Sequence, residues 1–197
     1  MKMNFLFPTP VSMFNYNITD KEKKVIYKLK TIQNTGNKVS VNRKVLDSVD
    51  LKKLKIFILK SVNDYFTEIY APKNKVKLYI TQSWCNFTKK GEYHHKHSHA
   101  NSFISGVYYV NANKDSDKIY FHKEEKDKLK VLTENYNICN SSSWWLPVET
   151  GVLFLFPSYL MHSVDTVKNN DTRISLSFNT FLKGDIGSDS GLTGLIL

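Results

Sequence analysis

From Val76 onward the apolar residues of this chain recur at every second position, and no helical period interrupts them. That alternation marks half-buried strands. The runs fall at about Val76–Trp84, Ser102–Asn111, Lys118–His122, Gly151–Pro157 and Arg173–Phe181. Strands that follow one another without intervening helices argue an antiparallel sandwich or barrel rather than a parallel sheet. The last run is the most informative. Ile174, Leu176 and Phe178 alternate with Arg173, Ser175, Ser177 and Asn179. One face is apolar; the other carries a guanidinium, two hydroxyls and an amide. On a sheet folded over a cavity the polar face points inward. An arginine placed there needs a partner. Either a bound carboxylate supplies it bidentately or a protein carboxylate forms a structural salt bridge.

The first third reads as helical. Thr19-Asp20-Lys21-Glu22 has the spacing of a capping box. It opens a helix with Val25, Ile26, Leu29 and Ile32 on one side, which Gly36 stops. A second helix covers about Val49 to Tyr70, where Leu51, Leu54, Ile58, Val62, Tyr65 and Ile69 recur at three- and four-residue steps. Both helices serve as buttresses on a sheet. Polar residues from Glu124 to Ser143 form a long surface excursion, a candidate lid or binding loop. With no repeats and no linker, the chain is expected to be a single domain, 1–197. Residues 1–74 are its helical support, 75–182 its strand core and 183–197 a C-terminal tail.

At 197 residues the chain can bury a core without disulfides, and its two cysteines, Cys85 and Cys139, provide no disulfide framework. The apolar N-terminal patch is too short for a secretion signal and is broken by Pro8. No apolar run reaches membrane-spanning length. A cytoplasmic protein with no membrane partner is the expectation. The net charge of +10 could draw an anionic partner. The excess, however, is lysine scattered along the chain among Asn and Ile, with no interleaved stacking aromatics. Nucleic acid is therefore disfavoured as a partner, though not excluded.

Candidate chemistry sits in the histidines. His97-Ser98-His99 is followed 63 residues later by His162 and eleven residues after that by Arg173. Imidazoles at i and i+2 lie on the same side of an extended segment. His162 follows Phe156–Met161, where a strand ends in a turn that can aim a ligand back inward. His94 and His95 extend the cluster, so His95/His97 and His97/His99 both have the required spacing and the choice stays open. His122, in a lysine-rich stretch, reads as a surface residue. No acidic residue lies between His94 and Asp115, and Glu92 and Asp165 are the outside candidates for a carboxylate ligand. Three imidazoles suit iron, and also zinc or copper. A metal with a guanidinium nearby is equipped to hold a dicarboxylate.

In this pattern the chain resembles the 2-oxoglutarate/Fe(II)-dependent dioxygenases over about Ser83 to Leu182. The His-x-His-x-x-Ser-x-x-Ser-Gly-Val-Tyr-Tyr-Val run from His97 to Val110 resembles a branch found in bacteria and their phages. The resemblance implies a mainly β (α+β) fold, a double-stranded β-helix or jelly roll of cupin-like form, supported by the N-terminal helices. It implies that His97, His99 and His162 bind Fe(II). Arg173 would hold the distal carboxylate of 2-oxoglutarate, with Ser175, Tyr109 and, more weakly, Asn86 as further contacts. His99 departs from the family pattern, because an Asp or Glu usually occupies its place. The implied activity consumes O2 and 2-oxoglutarate, releases succinate and CO2, and typically hydroxylates a substrate, either a small molecule or a protein side chain. Trp84, Trp144, Trp145 and the 124–143 excursion are expected to line the substrate site. A homodimer is compatible with the sequence. Two rival readings remain, a non-catalytic cupin-like protein binding metal and carboxylate, and a three-histidine zinc enzyme.

Overall fold

The computed structural model describes residues 1–124 and 131–197. Along the chain run β1 (Ser12–Asn15), α1 (Asp20–Tyr27), β2 (Thr31–Asn34), β3 (Asn37–Ser40), α2 (Lys52–Tyr70), β4 (Val76–Thr88) and β5 (His94–His97). They are followed by β6 (Ile104–Asn111), β7 (Lys118–His122), β8 (Ser143–Pro147), β9 (Val152–Pro157), β10 (His162–Val164), β11 (Arg173–Ile186) and β12 (Leu195–Ile196). The larger sheet has the order β1-β9-β6-β11-β4-β3-β2, with β12 added to β11; the smaller has the order β5-β10-β7-β8. Pairings between these strands are all antiparallel. Sequence-distant strands become neighbours in both sheets, as in a double-stranded β-helix.

Residue alternation sorts the core into two layers. Ile174, Leu176 and Phe178 of β11, Tyr108 and Val110 of β6, and Leu153 and Leu155 of β9 pack on the helices through Leu54, Ile58 and Val62 of α2. The opposite residues of the same strands, Val107, Tyr109, Phe154 and Phe156, meet Ile119 and Phe121 of β7 between the two sheets. The large sheet is thus apolar on its helix side. On its other side it is apolar around β9 but polar along β11 and β4. Gly106 of β6 leaves room for the ring of Phe178, its partner in register on β11. A Cβ there would lie 2.6 Å from Cε1 of the buried Phe178 ring.

The helix caps follow the sequence. Thr19 and Glu22 form the reciprocal capping box at the start of α1, and Glu22 is buried where Tyr16 also donates to it. The first third departs from the helical expectation beyond Tyr27. Ile32 lies not on a helix but in β2, and Gly36, at φ +83°, turns the β2–β3 hairpin instead of ending a helix. The supposed C-terminal tail begins inside β11, which continues to Ile186 and pairs with β12. Of the expected 124–143 excursion, residues 125–130 lie outside the described residues, and at its end the strand β8 begins at Ser143. Among the described residues no helix is long and apolar enough to cross a membrane.

Candidate functional site

Two strands of the smaller sheet set the histidines against each other. β5 and β10 pair His97 directly with His162. His99, two residues past the pair, is held by its backbone N–H donating to the carbonyl of Ser158 at 2.9 Å. One nitrogen from each of His97, His99 and His162 lies within 4.8 Å of the others.

The outer edge of every ring is tied down. The Nδ1 atoms of His97, His99 and His162 bond respectively to the His95 carbonyl at 2.8 Å, the Asn179 Oδ1 at 2.6 Å and the Leu160 carbonyl at 2.9 Å. All three partners are acceptors, so each Nδ1 carries the proton and each Nε2 presents a lone pair. Nε2 of His99 and Nε2 of His162 stand 3.3 Å apart. Two lone pairs at that separation repel unless a cation lies between them. Trp84 stacks on His99 with centroids 5.7 Å apart, fixing the ring plane. Burial, reinforced by the neighbouring imidazoles, holds His99 down at about 4 and His162 at about 2, and lowers His97 too. The rings are therefore neutral, metal-ready bases at physiological pH.

The cluster lines a cavity between the sheets. Ser175 of β11 stands in register between Asn86 of β4 and Tyr109 of β6, and all three line that cavity. Tyr109 is fully buried, and its hydroxyl has no hydrogen-bond partner among the described residues. Burial pushes that phenol far up, so it remains a donor. Asn86 donates through Nδ2 to Ser177 at 3.2 Å, while its buried Oδ1 is unpartnered. Turning the amide would let Ser177 donate to the oxygen and aim the NH2 group into the cavity.

Arg173 lines the same cavity. Its Nη1 donates to Oδ1 of Asp117 at 3.0 Å, and both side chains are nearly inaccessible, at 4% and 5%. Its Nη2 donates to the Asp165 carbonyl at 3.0 Å. The protein itself therefore supplies a carboxylate partner, which the sequence left open between ligand and salt bridge. A guanidinium has five N–H donors, so groups remain for a ligand.

Sequence reasoning missed Asp117 and Asn179 as the anchor of His99, and it placed His94 in the histidine cluster without giving it a role. His94 lines the cavity, and burial with its imidazole neighbours holds it at about 3. Other expectations are corrected. His95 does not line the cavity. Glu92 instead accepts from the Lys89 backbone, Asp165 offers Arg173 only its carbonyl, and neither joins the histidine group. Of the tryptophans only Trp84 lines the cavity; Trp144 and Trp145 are half-exposed on β8, with Lys118 seated 3.7 Å from the Trp145 ring centroid.

Residues 82–179 match the family described as "Putative 2OG-Fe(II) oxygenase". No curated protein matches the sequence. Solved structures share the fold at low identity. An oxidoreductase of the 2OG-Fe(II) oxygenase family from Burkholderia pseudomallei superposes with TM-score 0.56 at 14% identity, over 80% of this chain and 74% of its own. HygX from Streptomyces hygroscopicus, with nickel and 2-oxoglutarate bound, gives 0.58 at 11% over 87% and 82%. A Pseudomonas putida prolyl-4-hydroxylase gives 0.55 at 11% over 87% and 92%. The matched segment begins on β4 and ends at Asn179, so it contains the three converging histidines and the arginine. The chain belongs to the 2OG-Fe(II) oxygenase family and is an oxidoreductase of that type.

Proposed function

We propose that His97, His99 and His162 hold Fe(II) in this oxygenase, and that Arg173, Tyr109, Ser175 and Asn86 hold 2-oxoglutarate. The observation that carries the ligand set is the tied outer edge of all three rings. Each Nδ1–H is bonded to a fixed acceptor, leaving each Nε2 lone pair directed at the others. Such outer partners orient a metal-bound imidazole and raise its basicity. The co-substrate assignment rests on the unpartnered Tyr109 hydroxyl beside a guanidinium in the same cavity. A buried hydroxyl without a partner costs stability, and an anion recovers that cost.

Bound iron with 2-oxoglutarate supplies O2 activation, coupling decarboxylation of the co-substrate to succinate and CO2 with oxidation of a substrate. The protein's own residues provide placement. Trp84, stacked on His99, and the apolar pair Val107 and Phe156 wall the cavity and exclude water. Arg173 and Tyr109 would hold the far carboxylate and so set how deep the keto end enters the cavity. The substrate is a small molecule or a protein side chain, probed first as the former. HygX, which shares the fold, has been seen with hygromycin B bound.

Anaerobic titration tests the assignment. Fe(II) followed by 2-oxoglutarate should give a weak visible metal-to-ligand charge-transfer band, and admission of oxygen should release succinate. His99→Ala and His162→Ala should abolish the band. No such band from the unaltered chain with Fe(II) and 2-oxoglutarate, or a band that survives both substitutions, would refute the assignment.

A further inference from the structure

His94 is the one imidazole in the cavity whose hydrogen bonding runs the other way. Its Nδ1 lies 2.9 Å from Nδ2 of Asn37. Asn37 is completely buried, and its Oδ1 already accepts from Asn34 at 3.3 Å. The amide therefore presents its NH2 group, which donates to Thr88 Oγ1 at 3.3 Å as well as to His94. An NH2 group cannot accept, so Nδ1 of His94 is the acceptor and the ring proton sits on Nε2. In the three clustered histidines the proton is on Nδ1. Nε2 of His94 has no hydrogen-bond partner among the described residues, and the ring lines the cavity.

The sheet sets that donor beside the cluster, its ring centroid 4.7 Å from that of His97, one pairing further along β10. His162 pairs with His97 at the metal end of β10, while Val164, two residues on, pairs with His94. At a strand rise of about 3.3 Å per residue the backbone moves about 7 Å over this step, so His94 lies on the side of His97 turned away from His162. The next residue, Asp165, offers its carbonyl to Arg173. His94 and Arg173 thus both bear on β10 beyond His162, and both line the cavity.

We propose that His94 is a co-substrate-binding residue, whose neutral imidazole, with its proton set on Nε2 by Asn37, donates a hydrogen bond to the distal carboxylate of 2-oxoglutarate. This deepens the proposed function and rests on it. It also explains the short run of histidines. The cluster serves two ends of one ligand, with His97 and His99 at the keto end and His94 at the carboxylate end.

Calorimetric titration of the full chain, loaded with Mn(II) under nitrogen, separates the possibilities. The probes are 2-oxoglutarate and pyruvate, which carries the same keto-acid end but no distal carboxylate. His94→Phe should weaken 2-oxoglutarate binding about ten- to a hundredfold, the range expected for a lost hydrogen bond to a charged group. Pyruvate affinity and Mn(II) affinity should hold. Unchanged 2-oxoglutarate affinity, or an equal loss for pyruvate, would overturn the role of His94 while leaving the oxygenase assignment standing. Failure of the unaltered chain to bind 2-oxoglutarate at all would overturn both. Should His94→Phe fail to fold, histidine 15N spectra of the unaltered metal-free chain decide the matter. A His94 proton on Nε2 supports the proposal, and one on Nδ1 refutes it.

Discussion

Asp117→Asn isolates the buried charge pair at the base of the cavity. The carboxylate uses both oxygens, accepting from Arg173 at 3.0 Å and from the Asn113 backbone at 2.9 Å. A carboxamide of the same size must give up one of these bonds, because neither partner can accept from its NH2 group. Arg173 then keeps at best a neutral amide oxygen in place of the carboxylate, beside the Asp165 carbonyl. Both side chains are at 5% exposure or less, so the pair is a buried one. Breaking a buried pair in this way costs about 3–5 kcal/mol. In a chain of this size that corresponds to a fall in melting temperature of about 6–20 °C. Urea denaturation of the metal-free protein, followed by circular dichroism, measures the loss. Asp117→Leu combined with Arg173→Met should be less destabilised than the two single losses added together, since no charge is then stranded. In Asp117→Asn the unpaired guanidinium attracts the co-substrate more strongly. Metal with 2-oxoglutarate should therefore raise its melting temperature further than that of the unaltered chain. A cost below about 1 kcal/mol, the scale of an exposed pair, would refute the argument. It would mean that the guanidinium reaches solvent or turns to another partner.

Tyr109→Phe should act in opposite directions on stability and binding. It removes an unpartnered buried hydroxyl, so the ligand-free chain should be unchanged or more stable by about 1 kcal/mol, while 2-oxoglutarate affinity falls about tenfold. Calorimetry and urea unfolding read the two effects separately. Asn179→Ala frees Nδ1 of His99 and should weaken metal binding about ten- to a hundredfold in a competitive chelator titration, with Asn179→Asp retaining affinity. Acid should destabilise the metal-free chain. His99 and His162 titrate at about 4 and about 2 when folded, below their unfolded value of 6.5, so the unfolded chain takes up protons first. Stability present above pH 6.5 is lost as pH falls towards 4, by up to about 1.4 kcal/mol per pH unit for each such histidine. A urea midpoint identical at pH 7 and pH 5 would contradict this.

What could be read in the sequence was whatever repeats locally. The alternation of β11 is enough to give Ile174, Leu176 and Phe178 to the helices and Arg173, Ser175 and Ser177 to the cavity, as the structure has them. The α1 cap is equally local. What could not be read depends on pairing across the fold. Asp117 meets Arg173 across 56 residues, and Asn37 meets His94 across 57. Neither pair has a period or a motif to announce it. The β2–β3 hairpin escaped because its strands are short and carry little apolar content; Ile32 is half-exposed. Gly36 there misleads for a physical reason, since positive φ serves both a helix end and a tight hairpin. β8 escaped as an edge strand with both tryptophans partly in solvent, which blurs the alternation.

If Fe(II) is held by His97, His99 and His162 as proposed, the lack of an acid among them governs how the site assembles. Three neutral imidazoles leave a bound dication with its whole charge, because the nearest candidate acids, Glu92 and Asp165, do not join them. Arg173 adds no uncompensated charge, because Asp117 already balances it inside the protein. A doubly charged co-substrate therefore brings the loaded cavity to neutrality, and either ligand alone leaves a net charge of two in a low-dielectric interior. Burying that charge is costly. Metal and 2-oxoglutarate must then bind with mutual reinforcement, each strengthening the other by the same factor. A protein carboxylate in the place of His99 would lower the dication's charge before the co-substrate arrived and weaken that coupling. In the proposed site, His99 and the internally balanced Asp117–Arg173 pair would make the dianion part of the charge balance.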